Sequence, residues 1–128
     1  MSRFVRPETR TLVLANGDRL IVRKRLTAGE TRAQYARMYS RGEGREALLL
    51  SGMGLIVAYL LDWDFRDDDD RPVVIRDLSP DELATVIDSL DLKSFHEIKT
   101  AIESHEKEMQ AERADEKKTV GASVLSPT

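Results

Sequence analysis

Two β-prone runs open the chain and face each other across a turn signal. Thr11-Leu-Val-Leu-Ala15 and Arg19-Leu-Ile-Val-Arg23 flank Asn16-Gly17-Asp18. Asn-Gly between two apolar runs predicts a hairpin closed by a type I′ turn, because both residues tolerate positive φ. A lone hairpin is marginal in water and must pack on something. Its flank, Arg23-Lys24-Arg25, is expected to be exposed as solvated edge protection. The periodicity then becomes helical. Thr27-Ala-Gly-Glu30 forms a capping box, which predicts a helix over Ala28–Tyr39. Apolar positions on that helix are few (Tyr35, Met38 and Tyr39), and Gly42-Glu-Gly44 ends it.

Glu46 to Asp62 is hydrophobic on every face, the pattern of a buried central helix. Its apolar run from Leu48 to Leu61 is too short for a bilayer, which needs about 20 residues. Gly52 and Gly54 inside it suggest close approach of another helix, or a kink. Trp63 and Phe65 alternate with Asp62 and Asp64, and Pro72-Val-Val-Ile75 follows, so a short second hairpin is expected with Trp63 anchored over the core. Ser79-Pro-Asp-Glu82 is the clearest local signal, with Ser79 as N-cap, Pro80 in the first helical position and Glu82 closing the box. Leu83, Val86, Ile87 and Leu90 then share a face. Asp91 caps a last helix from about Leu92 to Lys117, with a packing seam at Phe95, Ile98, Ile102, His105 and Met109. Residues 119–128 read as a disordered polar tail, leaving residues 1–118 as one domain.

Composition narrows the chemistry. No cysteine is present, which removes disulfides and thiolate sites and fits a reducing compartment. The N-terminus lacks the apolar core of a signal peptide. Charge is polarised along the chain: residues 1–45 carry a net +7, and residues 46–128 a net −10. Such a chain could meet a nucleic acid, an acidic partner, or a copy of itself head to tail. Nucleic acid is the weakest of these, because Lys and Arg are not interleaved with stacking aromatics.

Three site signatures fail on spacing. Asp67–Asp70 sits in no calcium-loop register: counting from Asp62, position 6 is Asp67 rather than Gly and position 12 is Val73 rather than Glu. His96-Glu97 begins a zinc motif whose second His is replaced by Thr100. His96 and His105 lie half a turn out of phase, and His105, on the seam, reads as a hydrogen-bonded packing residue. Gly42-x-Gly44-x-x-Ala47 follows a predicted helix, whereas a dinucleotide fingerprint follows a strand. No catalytic residue, cofactor or metal site is expected.

From Val57 to His105 the order of signals resembles the tail assembly chaperones of long-tailed bacteriophages. The shared pattern is an apolar helix leading into Asp62-Trp63, a polar turn, then Pro72-Val-x-Ile-x-x-Leu-Ser-Pro-x-Glu-Leu83, and a final helix with paired apolar positions ending near His105-Glu106. The resemblance covers roughly half the chain and is one of pattern. It implies a non-enzymatic factor in the cytoplasm of the infected host. Such a factor would coat the helix-rich tape measure protein and help recruit tail tube subunits. A longer frameshifted form also exists for many such proteins, and Lys117-Lys118 is compatible with a slippery codon pair. The basic N-terminal half departs from the family pattern.

The expected fold is α+β, mostly α: an N-terminal β-hairpin, about residues 10–25, followed by a small helical domain with a buried central helix. Self-association is expected, with no membrane partner. Helix-in-groove binding would need a few apolar anchors, and the candidates are Leu55, Tyr59, Trp63, Phe95, Ile98 and Ile102. Each is also a plausible core residue. The alternatives are a structural virion or tail connector protein and a small nucleic-acid-binding regulator.

Overall fold

The computed structural model describes residues 3–39 and 45–125, with side chains for 3–37 and 52–114. The Gly42-x-Gly44 match therefore lies outside the described residues. Strands β1 (Thr9–Val13) and β2 (Arg19–Arg23) form the expected hairpin, with Leu12 opposite Leu20 and Arg10 opposite Val22. Alternation puts Arg10, Leu12, Leu20 and Val22 on the inner face, and Leu20 and Val22 are fully buried. The turn differs from expectation. Gly17 alone has positive φ, at 95°, and its N–H donates to the Leu14 carbonyl at 2.9 Å while Leu14 N–H donates to Asp18 O at 2.8 Å. The loop thus has three residues, Ala15-Asn16-Gly17, with glycine alone in the left-handed position. Asn16 instead uses its side chain, accepting from Asp18 N–H and donating to the Asp18 carboxylate.

The central apolar run contains the main surprise. Helix α2 (Arg45–Tyr59) stops at Tyr59, and the next residue begins strand β3 (Leu60–Trp63). β3 pairs antiparallel with β2, giving a three-stranded sheet in the order β1-β2-β3. Hydrophobicity alone could not place this switch, because a run apolar on all faces carries neither period. What places it is β2, whose second edge needs a partner. Leu60 and Trp63 are both buried although they are three positions apart, which plain alternation would forbid. A bulge resolves the conflict: Val22 opposes Leu60 and Ile21 opposes Asp62, so Leu61 is the extra residue. It brings Trp63 back to the inner face beside Leu20.

The second hairpin is reduced to one isolated bridge, Arg66 to Pro72, with Val73 N–H donating to Phe65 O at 3.0 Å. Trp63 anchors this return as expected. Its indole N–H donates to Val73 O at 2.7 Å, and its ring stacks on Phe65 at 4.5 Å. Between them Asp67–Asp70 makes a tight turn. The Asp67 carboxylate accepts from the N–H groups of Asp69 and Arg71, and Asp70 adopts φ 58°.

Helices α1 (Ala28–Tyr39), α3 (Pro80–Asp88) and α4 (Leu92–Leu125) all pack on α2. Every residue from Gly52 to Ile56 is buried by these neighbours within one copy, so that stretch needs no second subunit to cover it. A Cβ at Gly52 would lie 2.7 Å from Lys99 Cδ and 3.2 Å from the Phe95 ring, which explains a glycine where α2 crosses α4. The caps form as expected. Thr27 and Glu30 close one box, Ser79 and Glu82 another, and the Asp91 carboxylate accepts from Ser94 N–H. α4 continues to Leu125, eight residues past the expected end at Lys117. No proline interrupts it before Pro127. Residues 126–128 lie outside the described residues.

Candidate interaction surface

The anchors expected from sequence lie in the interior. Leu55, Tyr59, Trp63, Ile98 and Ile102 are at most 8% exposed and belong to one core cluster, and Phe95 packs half-buried against it. A partner would reach these residues only if the domain opened. Their apolar spacing records how α4 docks on α2, a property that sequence shares with an interface helix. A binding surface must be sought elsewhere.

One buried polar network fastens α4 to the sheet. His105, 1% exposed, points Nε2 at the carbonyls of Arg23 and Lys24, 3.0 and 2.9 Å away. Its Nδ1 lies 3.3 Å from Arg10 Nη1. A guanidinium can only donate, so Nδ1 accepts and Nε2 carries the proton. Arg10 continues to the Glu108 carboxylate, and the Tyr59 ring meets the His105 ring edge-on at 5.7 Å. The Tyr59 hydroxyl donates to Glu106 at 3.0 Å. Burial foremost, then the charge and hydrogen bond of Glu106, push the phenol well above its ordinary range. The inward Arg10 is the functional-looking residue that sequence reading missed, and its signal was its place in phase with Leu12.

Arg23 also departs from expectation. It is half-buried, donating to the Ala58 carbonyl at 2.7 Å and pairing with Glu30 at 2.6 Å. It satisfies the end of α2, where a cation is favoured. The basic flank is therefore partly structural.

Of the several concave surfaces formed by the described residues, two differ most in chemistry, one apolar and one basic. The first is a shallow trough of about 520 Å³ between the hairpin turn and the start of α4. Val13, Leu14 and Ala15 form one wall, and Thr100 and Ala101 lie on the other. Val13 is 67% exposed, so the trough offers apolar surface without unfolding. The second is a groove of about 440 Å³ between the N-terminal segment, the β2–α1 connection and α4. Arg3, Arg6, Lys24, Arg25 and Arg113 line it, against only Glu8 and Glu112. Among the described residues, no group of three His, Cys, Asp or Glu is placed to hold a metal, and no helix is long and apolar enough to cross a membrane.

No family model, curated protein or solved structure matches the chain. The trough suits an apolar stripe on a partner, and the groove suits anionic groups.

Proposed function

We propose that the chain is a non-enzymatic tail assembly chaperone of a long-tailed phage, acting in the host cytoplasm. It would shield apolar stripes of the tape measure protein and help bring tail tube subunits to it. The observation that carries this reading is the ordered resemblance from Asp62-Trp63 through Leu78-Ser-Pro-Asp-Glu-Leu83 to His105-Glu106. Its segments fall at structurally distinct points: Asp62-Trp63 closes the sheet, Ser79 caps α3, and His105 locks α4 to β2.

The trough between Val13 and Ala101 supports helix-in-groove binding, because an amphipathic helix could lay its apolar face there while its polar face stays wet. This moves the binding surface from the buried seam to the hairpin turn. Co-expression with the tape measure protein tests the reading, with that protein's soluble yield as the measurement. The wild-type chain should raise the yield. Val13→Asp combined with Thr100→Glu should remove the effect while leaving circular dichroism unchanged, since both side chains are exposed. An unchanged rescue by that variant excludes the trough. Stoichiometric amounts of the protein in purified mature particles would instead identify a structural tail component.

A further inference from the structure

The folded chain separates its charges spatially as well as along the sequence. At one end of β2, Asp64 N–H donates to the Arg19 carbonyl, so the chain leaving β3 carries the Asp67–Asp70 turn off that end of the sheet. At the other end, Lys24 N–H donates to Glu8 O, which places the basic groove there. The intervening strand alone is about 13 Å long at ordinary strand rise. That exceeds the Debye length of roughly 8 Å at physiological salt, so the two charged ends act independently. They cannot satisfy each other within one molecule.

Both ends have charge to spare. In the groove, Lys24 pairs with Glu8 and Arg25 pairs with Glu112, each at 3.4 Å. Among the described residues, no ion pair occupies Arg3, Arg6 or Arg113, and Arg25 Nε is buried without a hydrogen-bond partner. On the turn, Asp67 is committed to backbone N–H groups and Asp70 faces Arg66 at 3.9 Å. Among the described residues the carboxylates of Asp68 and Asp69 have no partner, and they stand exposed at the tip. The groove is therefore a cationic concavity and the turn an anionic projection.

We propose that the basic groove receives the Asp67–Asp70 turn of a second copy, joining molecules head to tail. The contact is heterologous, because groove and turn are different surfaces, so each added copy leaves one groove and one turn free. The product is a ring or an open array rather than a closed two-fold dimer. The inference stands on charge placement and does not require the chaperone reading, although an array would suit the coating of a long partner.

Sedimentation velocity on the full chain tests it at about 0.01 M and 1 M salt, where the Debye length is roughly 30 Å and 3 Å. The wild-type chain should associate with rising concentration at low salt and be monomeric at high salt. Arg6→Gln with Arg113→Gln, and separately Asp68→Asn with Asp69→Asn, should each weaken association about tenfold or more. All four side chains are solvent-exposed, so circular dichroism should be unchanged. Mixing the two variants should yield a 1:1 dimer and nothing larger, since only one intact groove and one intact turn remain per pair. A strictly monomeric wild type overturns the proposal. So does association that survives either double substitution, or a mixture that fails to dimerise. Retention of a short duplex DNA through Arg6 and Arg113 by a wild type that does not self-associate would assign the groove to nucleic acid instead.

Discussion

Ile102→Ala distinguishes a core seam from an interface seam. Ile102 is fully buried, in the cluster that joins α4 to α2 and the sheet. Truncation removes three carbons, worth about 2.4 kcal/mol at roughly 0.8 kcal/mol per methylene. A residual cavity adds to this, because close-packed neighbours relax only in part, and the usual total is about 2–5 kcal/mol. We expect about 3 kcal/mol. Urea unfolding followed by far-UV circular dichroism reads this directly. With a slope of roughly 1.5 kcal/mol per molar, the midpoint should fall by about 2 M at unchanged slope. Phe95→Ala is the internal control: Phe95 is only half-buried, so its loss should be clearly smaller. A change below about 1 kcal/mol for Ile102, with helicity intact, would mean that α4 is not docked on the core as described. The seam would then be available to a partner, and the same measurement would restore the anchors read from sequence. The magnitude also bears on aspartate substitutions at Ile98 and Ile102. Introducing two carboxylates at fully buried sites should unfold the domain, so such a variant cannot report on binding.

Ser79→Ala should cost about 1 kcal/mol by removing the α3 N-cap, measured as a lower urea midpoint. Hydrogen bonds from Ser79 hold the Glu82 carboxyl below its ordinary 4.5, so its contribution is present above that value and lost as pH falls through the depressed folded one. An acid titration of stability should therefore lose part of its slope in Glu82→Gln, and an identical slope would refute the linkage. At Tyr59 the sign is reversed. Its folded pKa lies above the unfolded 10.0, so its stabilisation is complete below pH 10 and is lost as pH climbs toward the folded value. Tyr59→Phe should flatten the alkaline fall in stability, and ultraviolet titration of the wild type should show one tyrosine ionising only as the protein unfolds.

Local chemistry was legible wherever a short motif acts within its own few residues. Ser79-Pro-Asp-Glu82, Thr27-Ala-Gly-Glu30 and Asp91 cap helices because the side chain and the N–H it satisfies are within three positions. The seam through Ile98 and Ile102 was equally plain as a pattern. Its role was not, because a helix docking inside its own domain and one docking on a partner carry the same spacing. Features set by distant pairing were hidden. Tyr59 and Leu60 fall on opposite sides of a helix-to-strand switch that only the open edge of β2 requires. The inward position of Arg10 has meaning only once His105 and Glu108, far along the chain, are beside it. Asn16-Gly17 signalled a hairpin correctly, but the turn type depended on how Leu14 and Asp18 paired.

The seamless passage from α2 into β3 sets where the chain can change length during divergence or engineering. A linker would absorb an added or lost residue; Tyr59-Leu60 has none. Removing one residue between Gly52 and Tyr59 would rotate the helix by about 100° against α1, α3 and α4. Removing one between Leu60 and Trp63 would erase the bulge and the local bend it gives β3, leaving Leu60 and Trp63 both inward by plain alternation. The Asp67–Asp70 turn, by contrast, is solvent-exposed and tied down mainly by its own first residue, so it can lengthen at little cost. Length variation among related chains should therefore collect at that acidic tip and be absent across the eight helical residues from Gly52 to Tyr59.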